Sequence, residues 1–293
     1  MHDHSRILKY GFVAPVLVLL IALNVFPLLY NVVLSFTNAE LTGGSYGSVG
    51  TRNYTTIFSN REFAAAVRTT ALFVFAAVSA ELVLGFCLAL SLRDHFRGKT
   101  AIITFLLIPM MLSPAVMALY WNLIFHGHYG ILNQILGFVG LPQPQWLTDP
   151  GLKLASILII DIWMWTPFMM LIALAGLNSI PRYIYEAAQI DRASDWMVFR
   201  RITLPMCAPL LVLAVLLRTT DALKQFDLVM AVTGPNDAAT QTLSALLYRT
   251  LFGADKVGLS SAYACVVLVV VIALASVFTR YIGFIRGKQG RAA

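Results

Sequence analysis

The sequence predicts an all-α polytopic membrane protein, a bundle of six transmembrane helices. Of its 293 residues, 59% are hydrophobic and only 12% are charged, whereas a soluble domain carries roughly 25% charged residues. A helix needs ~20 residues to cross a hydrocarbon core of about 30 Å, and the long apolar runs meet this length. We expect residues 1–293 to form a single transmembrane domain. Its predicted spans are about 10–36, 69–92, 100–125, 151–177, 206–232 and 259–282.

The basic residues are distributed unequally between the two sides of these spans. With the N-terminus inside, the inner basic residues are Arg6, Lys9, Arg93, Arg97, Lys99, Arg182, Arg192, Arg200, Arg201, Arg280, Arg286, Lys288 and Arg291. The outer ones are Arg52, Arg61, Arg68, Lys153, Arg249 and Lys256. Because cytoplasmic loops carry an excess of Lys and Arg, this bias predicts that both termini and the segment 178–205 are cytoplasmic.

The same composition argues against several other functions. The net charge of +7 comes from short basic clusters beside apolar runs, and these clusters do not form the extended basic face that nucleic-acid binding needs. The cysteines and histidines show no ligand spacing that favours a metal site. The sequence also shows no nucleotide-binding motif and no paired nucleophile and base. We therefore predict no catalytic residue, no metal and no cofactor in this chain, and no nucleic-acid partner.

The segment 178–205 is a polar insert between the fourth and fifth predicted spans, and its pattern indicates two short helices. Asn178 or Ser179 is suited to cap the first helix, which would run to about Asp191. Ser194 is suited to cap the second helix. Pro205 is predicted to end it, because proline lacks the backbone N–H that a continuing helix needs.

Residues within this insert resemble the EAA loop of the membrane subunits of bacterial ABC importers. The carbohydrate-type loop has the pattern EAAxxDGA followed by IxLP. The matching residues are Glu186, Ala187, Ala188, Asp191, Ala193, Ile202, Leu204 and Pro205. The family pattern has Gly where this chain has Arg192, and glycine there would permit a left-handed turn between the two helices.

The resemblance implies a type I ABC importer permease in the bacterial cytoplasmic (inner) membrane. Such a permease pairs with a second, similar permease and receives solute from an extracytoplasmic solute-binding protein. Its EAA loop docks on a dimer of ATPase subunits, which hold the ATP and Mg, so this chain would not itself be an enzyme. The implied coupling residues are Glu186, Ala187, Ala188, Asp191, Arg192 and Ala193.

A second stretch indicates the class of solute. FDLVMAVTGPN at 226–236 and QTLSALLYRTLF at 241–252 resemble the outer-loop region of carbohydrate permeases of the maltose and glycerol-phosphate type. The resemblance implies ATP-driven import of a sugar, oligosaccharide, polyol or glycerol phosphate by alternating access. A permease for another polar solute is the alternative within transport. An integral-membrane enzyme or receptor is an alternative from a different class.

Charged residues inside predicted spans are costly and usually face a protein interior or a watery cavity. In the fifth predicted span, Arg218, Asp221, Lys224 and Asp227 alternate in sign at steps of three, which would let neighbours pair along a helix. Two interpretations remain open. The charges either form a structural ladder that fixes the span, or some of them line the path of the solute.

Asp161 in the fourth predicted span lies close to Trp163 and Trp165 in sequence. A carboxylate beside indole rings suits a sugar, although packing is the commoner role of buried aromatic residues. Pro109 and Pro114 in the third predicted span, and Pro167 in the fourth, are placed to break helices where backbone groups line a cavity. The candidate solute-lining residues are Asp161, Trp163, Asp221, Lys224, Gln225 and Phe226.

Overall fold

The computed structural model of this chain describes residues 11, 13–44 and 46–289. The predictions that fall on Arg6, Lys9, Tyr10 and Arg291 lie outside the described residues. Within those ranges the chain is helical, and it has no strand beyond one isolated bridge between Thr37 and Ser48. The helices are α1 (Val13–Leu34), α2 (Arg52–Ser59), α3 (Arg61–Ser91), α4 (Lys99–Leu107), α5 (Pro114–Ile124), α6 (Ile131–Phe138), α7 (Pro150–Asn178), α8 (Arg182–Ile190), α9 (Asp195–Ala222), α10 (Asp227–Val232), α11 (Leu243–Tyr248) and α12 (Val257–Gln289).

Five helices of the described chain are long and apolar enough to cross a membrane, namely α1, α3, α7, α9 and α12. The third predicted span is instead divided between α4 and α5. A short 3-10 turn at Pro109–Met111 and extended backbone at Leu112 and Ser113 separate these two helices. The break begins and ends at Pro109 and Pro114, as expected. The same expectation for Pro167 is wrong, because this proline lies inside the continuous helix α7. The membrane borders of the spans and the single-domain assignment stay predictions, because helix bounds record only where the backbone is helical.

The prediction that Pro205 ends a helix is wrong. The helix α9 runs from Asp195 to Ala222 without interruption, and its residues Phe199–Thr203 form a π-helical turn just before the proline. Such a turn shifts the backbone hydrogen-bond register by one residue, so the missing N–H of Pro205 is accommodated inside the helix. The helix then stops at Ala222, well before the predicted end of the fifth span, and α10 begins at Asp227.

The described residues divide into two compact units. The first unit contains residues up to 64 together with 246–269. Here the Asp255 carboxylate accepts hydrogen bonds from the backbone N–H groups of Leu41 (2.6 Å) and Thr42 (3.0 Å) and from the Thr42 hydroxyl (2.5 Å). The hydroxyl hydrogen bond from Thr42 lowers the pKa of Asp255 from its ordinary value. These hydrogen bonds fix the loop that follows α1.

The second unit contains residues 65–245 and 270–289, and its core forms where α3, α7 and α9 pack together. One buried cluster includes Phe73 of α3 and Met164 of α7. A second includes Ala89 of α3 and Cys207 of α9. These three helices therefore hold the charged residues discussed below at fixed positions relative to one another.

The close packing of α3 on α7 depends on Gly85. A methyl group at this position would lie 2.6 Å from Met169 Cβ and 2.8 Å from the Met170 backbone nitrogen. We expect Gly85→Ala to destabilise the protein by about 1–3 kcal/mol, because the two backbones must separate. The matched control is Gly176→Ala, where the nearest atom is Cys207 Sγ at 3.5 Å. Thermal unfolding in detergent checks this prediction, and equal unfolding temperatures for the two variants would contradict it.

Candidate functional site

A buried ionic cluster centred on Arg218 joins α3, α7 and α9. Its guanidinium binds Glu81 through two hydrogen bonds, from Nε to Oε2 (2.9 Å) and from Nη2 to Oε1 (3.1 Å). Nη2 also donates to Asp161 Oδ2, and Nη1 donates to Asp221 Oδ2 (3.1 Å). One arginine is therefore bonded to three carboxylates on three different helices. We call these four residues the Arg218 cluster.

Burial makes the Arg218 cluster energetically important. Glu81 and Asp161 are fully buried and Arg218 is 2% exposed. The ring of Trp165, one turn beyond Asp161 on α7, lies 4.9 Å from Arg218 Cζ and covers the guanidinium. Removing one partner from such a buried group leaves an uncompensated charge, which typically costs about 3–5 kcal/mol. The cluster therefore requires the three helices to keep their relative positions.

Gln225 connects the Arg218 cluster to the break between α9 and α10. Its side-chain Nε2 donates to Asp161 Oδ1 (3.0 Å), and its Oε1 accepts from the backbone N–H of Phe226 (3.0 Å). Its backbone carbonyl accepts a hydrogen bond from the Thr242 hydroxyl (3.0 Å). The turn at residues 223–226 is thereby tied to the same carboxylate that binds Arg218.

The predicted ladder of four charges does not form along one helix. Arg218 and Asp221 pair as the i,i+3 spacing suggested. Lys224 and Asp227 lie in and beyond the break, are exposed, and make no ion pair with any residue that the structure describes. The partners that the sequence did not identify are Glu81 and Asp161, because they lie 137 and 57 residues away along the chain.

The candidate solute-lining residues occupy different surroundings. Both oxygens of Asp161 are engaged inside the Arg218 cluster, whereas the Asp221 side chain is 53% exposed. Gln225 and Phe226 are half-buried. Trp163 lies edge-to-face with Trp121, with ring centroids 5.7 Å apart. Asp221 is therefore the charged group of the cluster that is accessible to a solute.

Trp163 also borders a pocket of about 610 Å³ formed by α3, α7 and the broken third span. The pocket is lined almost entirely by apolar side chains, among them Leu84, Phe105 and Pro109. Thr166 supplies a single hydroxyl, which donates to the Ile162 carbonyl (2.6 Å). A sugar needs several hydrogen-bonding groups, so this pocket lacks the chemistry of a carbohydrate site.

The polar insert forms α8 and the first turns of α9. Glu186 and Ala187 are exposed on α8, whereas Ala188 faces inward and is 7% exposed. The exposed side of α8 that carries Ala187 also carries Tyr183 (68% exposed) and Ile190 (82% exposed). Tyr183, Ala187 and Ile190 follow the i, i+4, i+7 spacing of one helical face. We call these three residues the α8 stripe.

The turn between α8 and α9 has left-handed backbone at Arg192, with φ of 52°. The N–H of Arg192 donates to the Gln189 carbonyl (3.0 Å), and the N–H of Ala193 donates to the Ala188 carbonyl (2.9 Å). This pair of bonds is the Schellman arrangement that ends a helix. The left-handed turn that the family glycine would permit is therefore present in this chain, with arginine at that position.

The predicted helix caps give a mixed result. The Ser194 hydroxyl accepts a hydrogen bond from the Met197 N–H (3.3 Å), as predicted. Asn178 and Ser179 do not cap α8, because α7 extends to Asn178 and the Ser179 hydroxyl donates back to the Gly176 carbonyl (2.7 Å). The residue before α8 is Pro181, which makes no side-chain cap.

Arg192→Gly is expected to leave stability unchanged or raise it by up to about 1 kcal/mol. A left-handed conformation costs a non-glycine residue roughly 1–2 kcal/mol, and the greater freedom of glycine in the unfolded chain offsets part of that gain. The control is Arg200→Gly, at an exposed helical position, which should lose about 1 kcal/mol. The unfolding temperatures of Arg192→Gly and Arg200→Gly are compared with that of the wild type. A loss of complex yield in Arg192→Gly would show that the arginine makes a needed contact.

A polytopic helical fold with a broken span, a buried ionic cluster and a polar helical insert suits a subunit of a membrane transport system. Residues 81–284 match the family described as binding-protein-dependent transport system inner membrane component, and the chain belongs to this family. The matched region begins at Glu81 and includes the whole Arg218 cluster and the α8 stripe. The description of the family is that of an inner-membrane component of transport systems.

Related proteins include two permeases of disaccharide transport systems. The chain is 37% identical over 232 residues to the trehalose/maltose transport system permease protein MalF of Thermococcus litoralis, covering 79% of each chain. It is 33% identical over 280 residues to the trehalose transport system permease protein SugA of Mycobacterium tuberculosis, covering 95% of this chain and 90% of that one.

A solved structure shares the fold over nearly the whole chain. It is a chain of a bacterial ABC transporter involved in the import of the acidic polysaccharide alginate, with a TM-score of 0.83 and 21% identity. The likeness covers 96% of this chain and 97% of that chain. At this identity the likeness supports the fold alone, which is that of an ABC importer permease.

Proposed function

We propose that this chain is the permease subunit of an ATP-driven carbohydrate importer of the bacterial cytoplasmic membrane, with both termini cytoplasmic. It pairs with a second permease, receives its solute from an extracytoplasmic binding protein, and uses ATP that partner subunits bind and hydrolyse with Mg. The family assignment supports the binding-protein-dependent mode of transport. The names of the two related permeases support a carbohydrate, and a disaccharide such as trehalose or maltose is the first solute to test.

The observation that carries the docking part of this proposal is the α8 stripe. A protein surface that faces water rarely carries an isoleucine as exposed as Ile190 (82%) beside an exposed tyrosine, Tyr183. Such an apolar patch marks a contact with another protein. Ala187 between them permits a close approach, and the exposed carboxylate of Glu186 is available to a basic partner. We assign this surface to the ATPase subunit, with Glu186 and Ala187 at the contact. Ala188 supports α8 from its inner side, while Asp191, Arg192 and Ala193 shape the turn.

The position of α8 gives a route for coupling. It follows α7 after a short link and is joined to α9 by the turn at Arg192. A displacement of α8 by the ATPase dimer would therefore be passed to both helices. These helices carry Asp161, Arg218 and Asp221, and the Arg218 cluster makes α3 follow them. The three helices would move as one group during alternating access.

The assembled complex tests the function directly. The chain is purified in mild detergent, its accompanying subunits are identified, and the complex is reconstituted into vesicles with its binding protein. We expect an ATPase subunit to copurify and ATP-dependent uptake of trehalose or maltose to follow. Vesicles without ATP, and an amino acid as solute, are the controls. Uptake of the amino acid but not of the sugars would overturn the carbohydrate assignment, and absence of an ATPase subunit would overturn the docking assignment.

Two aspartate variants separate solute contact from structural support. Asp221→Asn should preserve complex yield, because Arg218 keeps Glu81 and Asp161, and should lower uptake if the exposed carboxylate contacts solute. Asp161→Asn should lower yield, because it changes a fully buried partner of both Arg218 and Gln225. Uptake per assembled complex and yield are measured together. Normal uptake by Asp221→Asn would remove this residue from the solute path and leave Lys224, Gln225 and Phe226 to be tested.

A further inference from the structure

A second pocket, of about 560 Å³, lies where α3 and α7 end and where α4 and α8 begin. It is separate from the Arg218 cluster, and its lining is mainly polar. The lining residues that matter here are Arg93, Asp94, His95, Lys99, Arg182 and Glu186. Because membrane-spanning helices end around it, the pocket lies at a membrane surface. We call it the basic pocket.

Two cations of the basic pocket, Arg93 and Lys99, are held in place by uncharged groups, an aromatic ring and a backbone carbonyl. The guanidinium of Arg93 lies over the ring of Tyr185, 3.9 Å from the centroid. The Lys99 ammonium donates to the Arg93 carbonyl (3.1 Å). Both residues are half-buried. Their side chains are therefore positioned without being neutralised.

None of Arg93, Lys99 and Arg182 forms an ion pair with another residue in the described part of the chain. Asp94 and Glu186 also line the pocket, but they lie beyond salt-bridge distance of these cations. The other buried or half-buried cations whose exposure the structure describes, Lys153, Arg218 and Arg249, are all paired with carboxylates, whereas the unpaired cations outside the pocket are exposed. A pocket that gathers cations and leaves them unpaired is arranged for an anion from outside the chain.

We propose that the basic pocket binds a phosphate group, supplied either by the headgroup of an anionic phospholipid or by a free phosphate. Arginine and lysine together match the charge and the oxygen atoms of a phosphate. Basic pockets between the ends of membrane helices bind anionic headgroups. Glu186 lines the same pocket, so a bound phosphate would hold the cations away from Glu186 and leave its carboxylate free for a partner.

The lipid source is tested by native mass spectrometry of the assembled complex in phosphatidylcholine nanodiscs that contain phosphatidylglycerol. The test variant is Arg93→Gln/Lys99→Gln. Its matched control is Arg97→Gln/Arg280→Gln, which removes the same charge from exposed residues that do not line the pocket. At ~1 kcal/mol for each basic residue, the test variant should bind phosphatidylglycerol roughly 30-fold more weakly. The wild type and the control variant should retain one more phosphatidylglycerol molecule than the test variant.

Binding of free phosphate is tested by calorimetric titration of inorganic phosphate into the wild type, the test variant and the control variant, each assembled in nanodiscs of phosphatidylcholine alone. Loss of either ligand in the test variant only would support the proposal and identify the source. Equal retention of both ligands by all three complexes would overturn it, as would an equal loss in both variants. Dissociation of the ATPase subunit from the test variant, without a change in lipid or phosphate binding, would also overturn it and show that the pocket belongs to a protein contact.

Discussion

Replacement of Arg218 by methionine is expected to remove most of the properly assembled protein. Methionine fills a similar volume but leaves the Glu81 and Asp161 carboxylates buried without their cation. Breaking a buried ion pair in this way costs about 3–5 kcal/mol, a large fraction of the 5–15 kcal/mol that stabilises a typical protein. The measurements are the yield of monodisperse complex and the unfolding temperature in detergent.

Two comparisons make the result specific to the buried cluster. Arg249 is paired with Glu62 at an exposed site, so Arg249→Met should cost less than about 1 kcal/mol. A triple variant, Glu81→Gln/Asp161→Asn/Arg218→Met, should recover part of the yield, because it removes the stranded charges together with the arginine. Equal and small losses in Arg218→Met and Arg249→Met would show that the cluster does not hold α3, α7 and α9 together.

Replacement of Ile190 by aspartate is expected to separate the permease from its ATPase subunit. The side chain is 82% exposed, so the change should leave the fold intact. At the centre of an apolar contact, however, a buried unpaired carboxylate costs several kcal/mol. We expect ATPase copurification to fall by at least tenfold, because 1.4 kcal/mol already changes an affinity tenfold. The measurements are subunit stoichiometry after purification and ATP-dependent uptake.

The control for this variant is Phe138→Asp. Phe138 is 93% exposed at the end of α6, in a segment predicted to lie outside, so its replacement should not affect the ATPase. Ala188→Leu should behave differently from both variants. Because Ala188 is buried, the larger side chain would disturb the support of α8 and lower stability first. Normal ATPase copurification with Ile190→Asp would show that the α8 stripe is not the docking surface.

Local sequence was sufficient for the features that depend on neighbouring residues. Composition and run length predicted the all-α membrane fold, because a helix in lipid satisfies its backbone hydrogen bonds within itself. Pro109 and Pro114 marked the break in the third span, because proline lacks the backbone N–H of a regular helix. The same rule failed for Pro167 and Pro205, which lie inside continuous helices. Ser194 was predicted to cap the second helix of the insert, and it does so. For the turn, the sequence showed only that arginine replaces the family glycine, and the structure showed the left-handed backbone at Arg192.

Only the tertiary structure decided which groups meet. The i,i+3 spacing suggested a ladder from Arg218 to Asp227, but the helix ends at Ala222 and the arginine finds Glu81, 137 residues away. The pattern of α8 likewise did not show that Ala188 faces inward while Ala187 faces outward. Sequence spacing fixes neighbours along one helix, whereas helix ends, facing sides and long-range ion pairs depend on how several helices pack to bury charge at the lowest cost.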